Sequence, residues 1–307
     1  MVDRALNLEC SGVRLPAVVT LPESPCRAAV ALLHPSHLSS RDQFLFRHLA
    51  MVLPPLGVAV IRYDRRPVGN AEVRLPQQVA DLRVALAALA RETGPVPTGL
   101  WGFSRGAWVS LMTAAGDPAI AFLMLVGCSG VSPARQLQYG AEVQLRRAGY
   151  GAATLADLAE LRTAWEAYQR GQVHREEAQR LVDRFVAEPW FELSFVPAQL
   201  PDPPGWEDMD FDPADLIRRI RCPVLALYGE DEWVPVEDSV DVWRDAYFSR
   251  EHLTVCHLPR TEHHPTLNSG RTISSISPDY TATVQTWLTD LLAAAKVAEP
   301  PWPSSTG

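Results

Sequence analysis

The stretch LWGFSRGAW, residues 100–108, sets Ser104 between Gly102 and Gly106. TGLWGF (98–103) reads as a strand and GAWVSLMTAA (106–115) as a helix, so Ser104 falls on the turn between them. A serine hydroxyl is a poor nucleophile in a relaxed chain. A sharp strand-to-helix turn exposes it, and flanking glycines accept the strained backbone and the close packing that such a turn needs. The helix that begins there also directs its positive end at the hydroxyl.

The rest of the chain repeats the strand-helix alternation. AAVALLH (28–34), VAVIRYD (58–64), AFLMLVGC (121–128), PVLALYG (223–229) and HLTVCHL (252–258) are apolar runs of strand length. Helical spacing marks residues 41–53, 76–92, 238–248 and 280–296, with Val79, Leu82, Leu86 and Leu89 on one stripe of the second. Such alternation implies an α/β fold, a mostly parallel central sheet with helices on both faces. ALNLEC and VRLPAVVTL at the start read as an antiparallel hairpin on one edge.

Between about 132 and 215 the alternation stops. Helical patterns such as LADLAELRTAWEAYQRG follow one another, then a Pro-rich stretch with Trp206. The expected organisation is a core of 1–131 and 216–297, a helical cap insertion of 132–215 over the sheet's C-terminal edge, and a flexible tail of 298–307.

With the Gly-x-Ser-x-Gly turn in its strand-helix context, the chain resembles the α/β-hydrolase fold family over nearly its whole length outside the insertion. That family orders its residues as nucleophile, acid, histidine. The resemblance therefore implies that Ser104 is the nucleophile and that the acid follows the strand after the cap. LALYGEDEWVP offers Glu230, Asp231 and Glu232 there. It resembles the family's G-x-x-D-x-x-V-P turn but is one residue short. Counting back from Val234-Pro235 selects Asp231, the preferred acid; counting forward from Gly229 selects Glu232. LPRTEHHP resembles the family's L-P-G-x-x-H turn and selects His263, with His264 beside it and His257 read as structural.

Two N–H donors must hold the oxyanion. The resemblance implies Arg105, directly after the nucleophile, and a residue of LLHPSHLSSRDQ, which resembles the family's H-G-x-G loop. Pro35 has no N–H, which points to Ser36 before His37, with His34 bracing the loop. The stretch GVAVIRYDRRPVG looks like the R-Y-D-x-R-G-x-G region of single-domain esterases and acyl-peptidase-like hydrolases, with Pro67 where Gly is usual. The implied activity is a serine hydrolase, foremost a carboxylesterase, acting on a small-molecule acyl substrate without metal or organic cofactor. An acyltransferase, thioesterase or cyclase would use the same residues, and a binding protein could share the fold.

Composition limits the partners. The net charge is -8, which disfavours nucleic acid, anionic membranes and polyanionic substrates. The five cysteines, odd in number and without C-x-x-C spacing, argue against a disulfide scaffold or zinc knuckle. The N-terminus lacks a charged segment leading into an apolar one, and no apolar run reaches about 18 residues, so a cytoplasmic protein is expected. EDMDFD (207–212) alternates carboxylates but lacks a Ca²⁺ loop's Gly turn and terminal Glu, and reads as a solvated loop. Trp165, Tyr168, Trp190, Phe191, Phe195 and Trp206 lie in the insertion. Aromatics at helical spacing are mostly core, with some available to an acyl or aryl pocket.

Overall fold

AAVALL, with every side chain buried, forms β3 (Ala28–Leu33), one of four central strands covered on both faces. The others are β4 (Val58–Tyr63), β5 (Thr98–Phe103) and β6 (Ile120–Val126). Only a sheet with helices on both sides buries such continuous apolar strands. The computed structural model describes residues 1–66 and 73–294, so Pro67 and the 298–307 tail lie outside the described residues.

β1 (Val2–Cys10) and β2 (Val13–Leu21) form the expected hairpin. With β7 (Val224–Asp231) and β8 (Leu253–Glu262) they complete an eight-stranded sheet ordered β1-β2-β4-β3-β5-β6-β7-β8. β2 is antiparallel to both its neighbours, and β4 through β8 run parallel. From β3 the chain steps to β4 on one side, then crosses back to β5 on the other. That reversal opens a crevice beyond the C-terminal ends of β3 and β5, where open α/β sheets bind ligands.

One face of the sheet packs on α2 (Leu75–Thr93), α3 (Arg105–Gly116), α7 (Pro213–Ile217) and α8 (Val236–Ala246). The other packs on α1 (Phe44–Val52) and α9 (Pro278–Ala294). The α2 stripe faces the core as its spacing requires, although Leu86 is only partly buried.

Between β6 and β7 lie α4 (Pro133–Arg147), α5 (Ala152–Gln169) and α6 (Arg175–Phe185), with no strand among the described residues there before β7. These helices enclose an apolar cluster of their own, which includes Leu158, Leu161, Val182 and Phe185. Arg162 runs through it, with its side chain 1% exposed. Its guanidinium donates to Glu166 Oε1 at 2.8 Å, Ser194 O at 3.1 Å and Ala134 O at 3.3 Å, and lies over the Trp165 ring. Removing one partner of a buried ion pair leaves desolvated polar groups behind. Arg162→Ala is therefore expected to lower the unfolding free energy by about 3 kcal/mol, read from urea denaturation.

Candidate active site

Ser104 occupies a positive-φ conformation, φ 54° and ψ −120°, which a residue with a side chain holds only when its surroundings impose it. The surroundings are on both sides. Its N–H donates to Val126 O at 2.8 Å, which ties the turn to the end of β6. A Cβ on Gly106 would lie 2.5 Å from Leu33 O, and one on Gly102 would lie 2.5 Å from Ser110 Oγ. The two glycines thus let α3 seat against the end of β3 and against β5. The hydroxyl is left half-buried at the head of the helix.

β8 runs four residues beyond the expected strand and delivers His263 directly after its end. Phe103, the residue before Ser104, packs on the His263 ring with centroids 5.0 Å apart. A Cβ on Gly127, just past β6, would sit 2.7 Å from His263 Cε1. The imidazole is therefore lodged at the C-terminal ends of β5 and β6. Its Nδ1 lies 2.5 Å from Glu232 Oε1. Its Nε2 is buried and makes no hydrogen bond with the described residues, the Ser104 hydroxyl included. Serine–histidine hydrogen bonds are often long without substrate and tighten when it binds.

Asp231, the preferred acid, is not the partner of His263. The structure puts Glu232 there instead. β7 extends through Asp231, with a register shift between Gly229 and Asp231 against β8. Successive residues of an extended chain face opposite ways. Asp231 accordingly points outward, its side chain 77% exposed, while Glu232 is buried at 7%. Counting forward from Gly229 was the better rule, because the bulge takes up the missing residue. Burial opposes charge on Glu232, but the His263 ring and the N–H groups of Trp233 and Gly229 outweigh it, leaving the carboxyl below its ordinary range.

The remaining expected residues lie around this pair. Arg105 opens α3, where helix geometry gives its N–H no intrahelical acceptor. Its guanidinium, nearly buried, reaches Asp208 at 2.8 Å. Ser36 is half-buried in the loop after β3. Arg65 donates to Pro35 O at 2.9 Å and also to Ser36 O, pinning that loop. Sequence reasoning assigned Arg65 no role, although it had marked the RYDRR stretch that contains it. His34 is buried, its ring edge-on to Phe46 at 4.7 Å and Tyr63 at 5.5 Å. Burial and the Arg65 charge push it down to about 3. His264 packs edge-on to Phe103 at 4.7 Å and lies 5.5 Å from His37. Burial and then the Arg271 charge push it down to about 2, so it stays neutral. His257 is exposed on β8.

The EDMDFD carboxylates are engaged by the protein itself. Glu207 pairs with Arg74, Asp208 with Arg105 and Asp210 with Arg170, and Asp212 caps α7 by accepting from Ala214 N–H. Of the six insertion aromatics, Trp165, Tyr168, Trp190 and Phe191 belong to the insertion's own core, and Trp206 stacks on Trp165. Phe195 also packs against that core and reaches Trp233, 6.0 Å away, in the loop that bears Glu232.

Known proteins agree with this architecture. The chain is similar over 95% of its length to all of a proline iminopeptidase from Mycobacterium smegmatis, with TM-score 0.61 and 18% identity. It is similar over 96% to 99% of a thermostable carboxyl esterase from Bacillus coagulans, with TM-score 0.57 and 14% identity. An esterase from Pyrococcus furiosus gives TM-score 0.57 at 16% identity, over 94% of this chain and 90% of its own. No curated protein matches the sequence. Among the described residues no helix is long and apolar enough to cross a membrane. The model of the alpha/beta hydrolase family matches residues 30–274, the sheet from β3 through β8 together with its inserted helices, and the chain belongs to that family.

Proposed function

We propose that this chain is a serine hydrolase that cleaves a small acyl compound, foremost a carboxylic ester, through an acyl-enzyme. The observation that carries the reading is the strained Ser104 turn lying beside a buried His263–Glu232 pair. Ser104 Oγ attacks the acyl carbonyl, and His263 Nε2 takes its proton and later passes it to the leaving group. Glu232 stays ionised, accepts from Nδ1–H and stabilises the imidazolium. The Arg105 and Ser36 N–H groups receive the oxyanion, each contributing about 3 kcal/mol of barrier lowering. Water attacking the acyl carbon then frees the acid and restores Ser104. Residues 132–215 serve as the cap over this site. The five free cysteines suit a reducing compartment, and we assign the chain to the cytoplasm.

A fluorophosphonate probe tests the reading. The wild-type protein is expected to become labelled and Ser104→Ala to remain unlabelled, with turnover of p-nitrophenyl esters reduced about 10⁶-fold. An unlabelled wild type would sink the proposal. Cleavage of aminoacyl-anilides with no ester cleavage would move the substrate to a peptide bond.

A further inference from the structure

Trp233 touches both members of the His263–Glu232 pair. Its backbone N–H donates to Glu232 Oε1 at 2.9 Å, and its indole meets the His263 ring edge-on with centroids 4.7 Å apart. One residue therefore holds the carboxylate from the main chain and the imidazole from the side chain. The indole is itself held by the insertion. Gly140 on α4 packs so tightly against it that a Cβ there would overlap Cε3 and come within 2.9 Å of Cζ3. Phe195 closes from another side at 6.0 Å.

α4 is fastened to the core by an arginine near each end. Near its C-terminus Arg147 donates to Asp231 O at 2.9 Å, one residue before Glu232. Near its N-terminus Arg135 pairs with Asp238 on α8 at 2.7 Å. Seen from His263, the contacts run outward from imidazole to indole to Gly140. Close packing transmits a displacement along such a series, because interiors have few voids to absorb it.

We propose that Trp233 is a positioning residue, a wedge through which the docking of α4 fixes the His263 ring against Glu232 and shields their hydrogen bond from water. The proposal rests on the serine-hydrolase reading of the same site. It gives the insertion a second task. Besides covering substrate, it orients the base, so a change on α4 that touches neither substrate nor triad alters the chemical step.

The test compares Trp233→Ala, Trp233→Phe and Gly140→Ala with wild type on p-nitrophenyl esters of increasing acyl length. The downfield proton resonance of the His263–Glu232 hydrogen bond is recorded alongside. Trp233→Ala is expected to lower kcat about 10²-fold, the cost of a small misplacement of a reacting group, with KM nearly constant across acyl lengths. The downfield resonance should broaden or vanish, as a solvent-exposed proton does. Trp233→Phe should restore most of kcat and the resonance. Gly140→Ala should lower kcat in the same direction at unchanged KM. It also keeps the idea testable if Trp233→Ala does not fold. If KM instead changes with acyl length while kcat and the resonance hold, Trp233 is a pocket wall and the proposal falls. It falls equally if Gly140→Ala and Trp233→Phe both match wild type while Trp233→Ala merely unfolds. A wild type inert to every ester and to the fluorophosphonate would overturn the hydrolase reading itself, a result distinct from both.

Discussion

Glu232→Ala is expected to reduce kcat about 10⁴-fold, the scale of losing the acid that orients a catalytic histidine. Asp231→Ala should change it by no more than about twofold, as exposed substitutions do. The two residues are adjacent, both carboxylates, and separated in role by burial. Glu232 accepts from the His263 Nδ1–H and from Trp233 N–H. Asp231 contributes its carbonyl to Arg147, a contact that alanine keeps, and only a long, exposed carboxylate contact besides. Paired ester-hydrolysis assays decide the matter, with thermal melting of each variant to exclude unfolding. A large loss in Asp231→Ala with Glu232→Ala active would reverse the assignment.

Acid should unfold this protein early. His34 is buried and its proton affinity in the fold is pushed from 6.5 to about 3, by burial first and the Arg65 charge second. His264 is pushed to about 2 by burial, then by the charges of Arg271, His263 and His37. In both cases the folded value lies below that of the unfolded chain. Above pH 6.5 neither state binds the proton and the two groups cost nothing. Below it the unfolded chain takes up protons that the fold refuses, so stability falls as pH drops from 6.5 toward about 3. Each histidine then removes about 1.4 kcal/mol per pH unit. Together they are expected to remove about 4 kcal/mol between pH 7 and pH 5, a large share of the 5–15 kcal/mol that holds a typical domain. Urea titrations at the two pH values measure this directly. His264→Leu should roughly halve the loss. The ring sits among Phe103, Phe44 and His37, and its Nε2 has no hydrogen-bond partner among the described residues to forfeit. A pH-independent stability would contradict both assignments.

What could be read from the sequence followed from how strongly local pattern constrains each part. The parallel strands were legible because burial on both faces demands uninterrupted apolar runs, and Ser104 because its turn needs glycines at fixed offsets. The carboxylate that meets His263 was harder. A loop one residue short can absorb its deficit on either side, and only the β7–β8 register shows that a bulge before Asp231 turns Glu232 inward. The far end of β8 was hidden for a related reason. PRTE carries no apolar alternation, and its pairing depends on a neighbour distant in sequence. Arg65 escaped notice because its value lies in a contact across the fold, to Ser36, which no local spacing encodes.

The helices between β6 and β7 keep a private interior, stapled by Arg162, and enter and leave the sheet at neighbouring strands. Such a unit is expected to be exchangeable for a foreign one, much as a lens is changed on a fixed camera body. The mount combines a glycine that admits the indole, an arginine that grips the loop beside it, and the Arg135–Asp238, Arg105–Asp208 and Arg74–Glu207 pairs. On the proposed function, a transplanted bundle that keeps these contacts is expected to retain turnover while changing which substrates it admits, and one that omits Gly140 and Arg147 is expected to lose turnover.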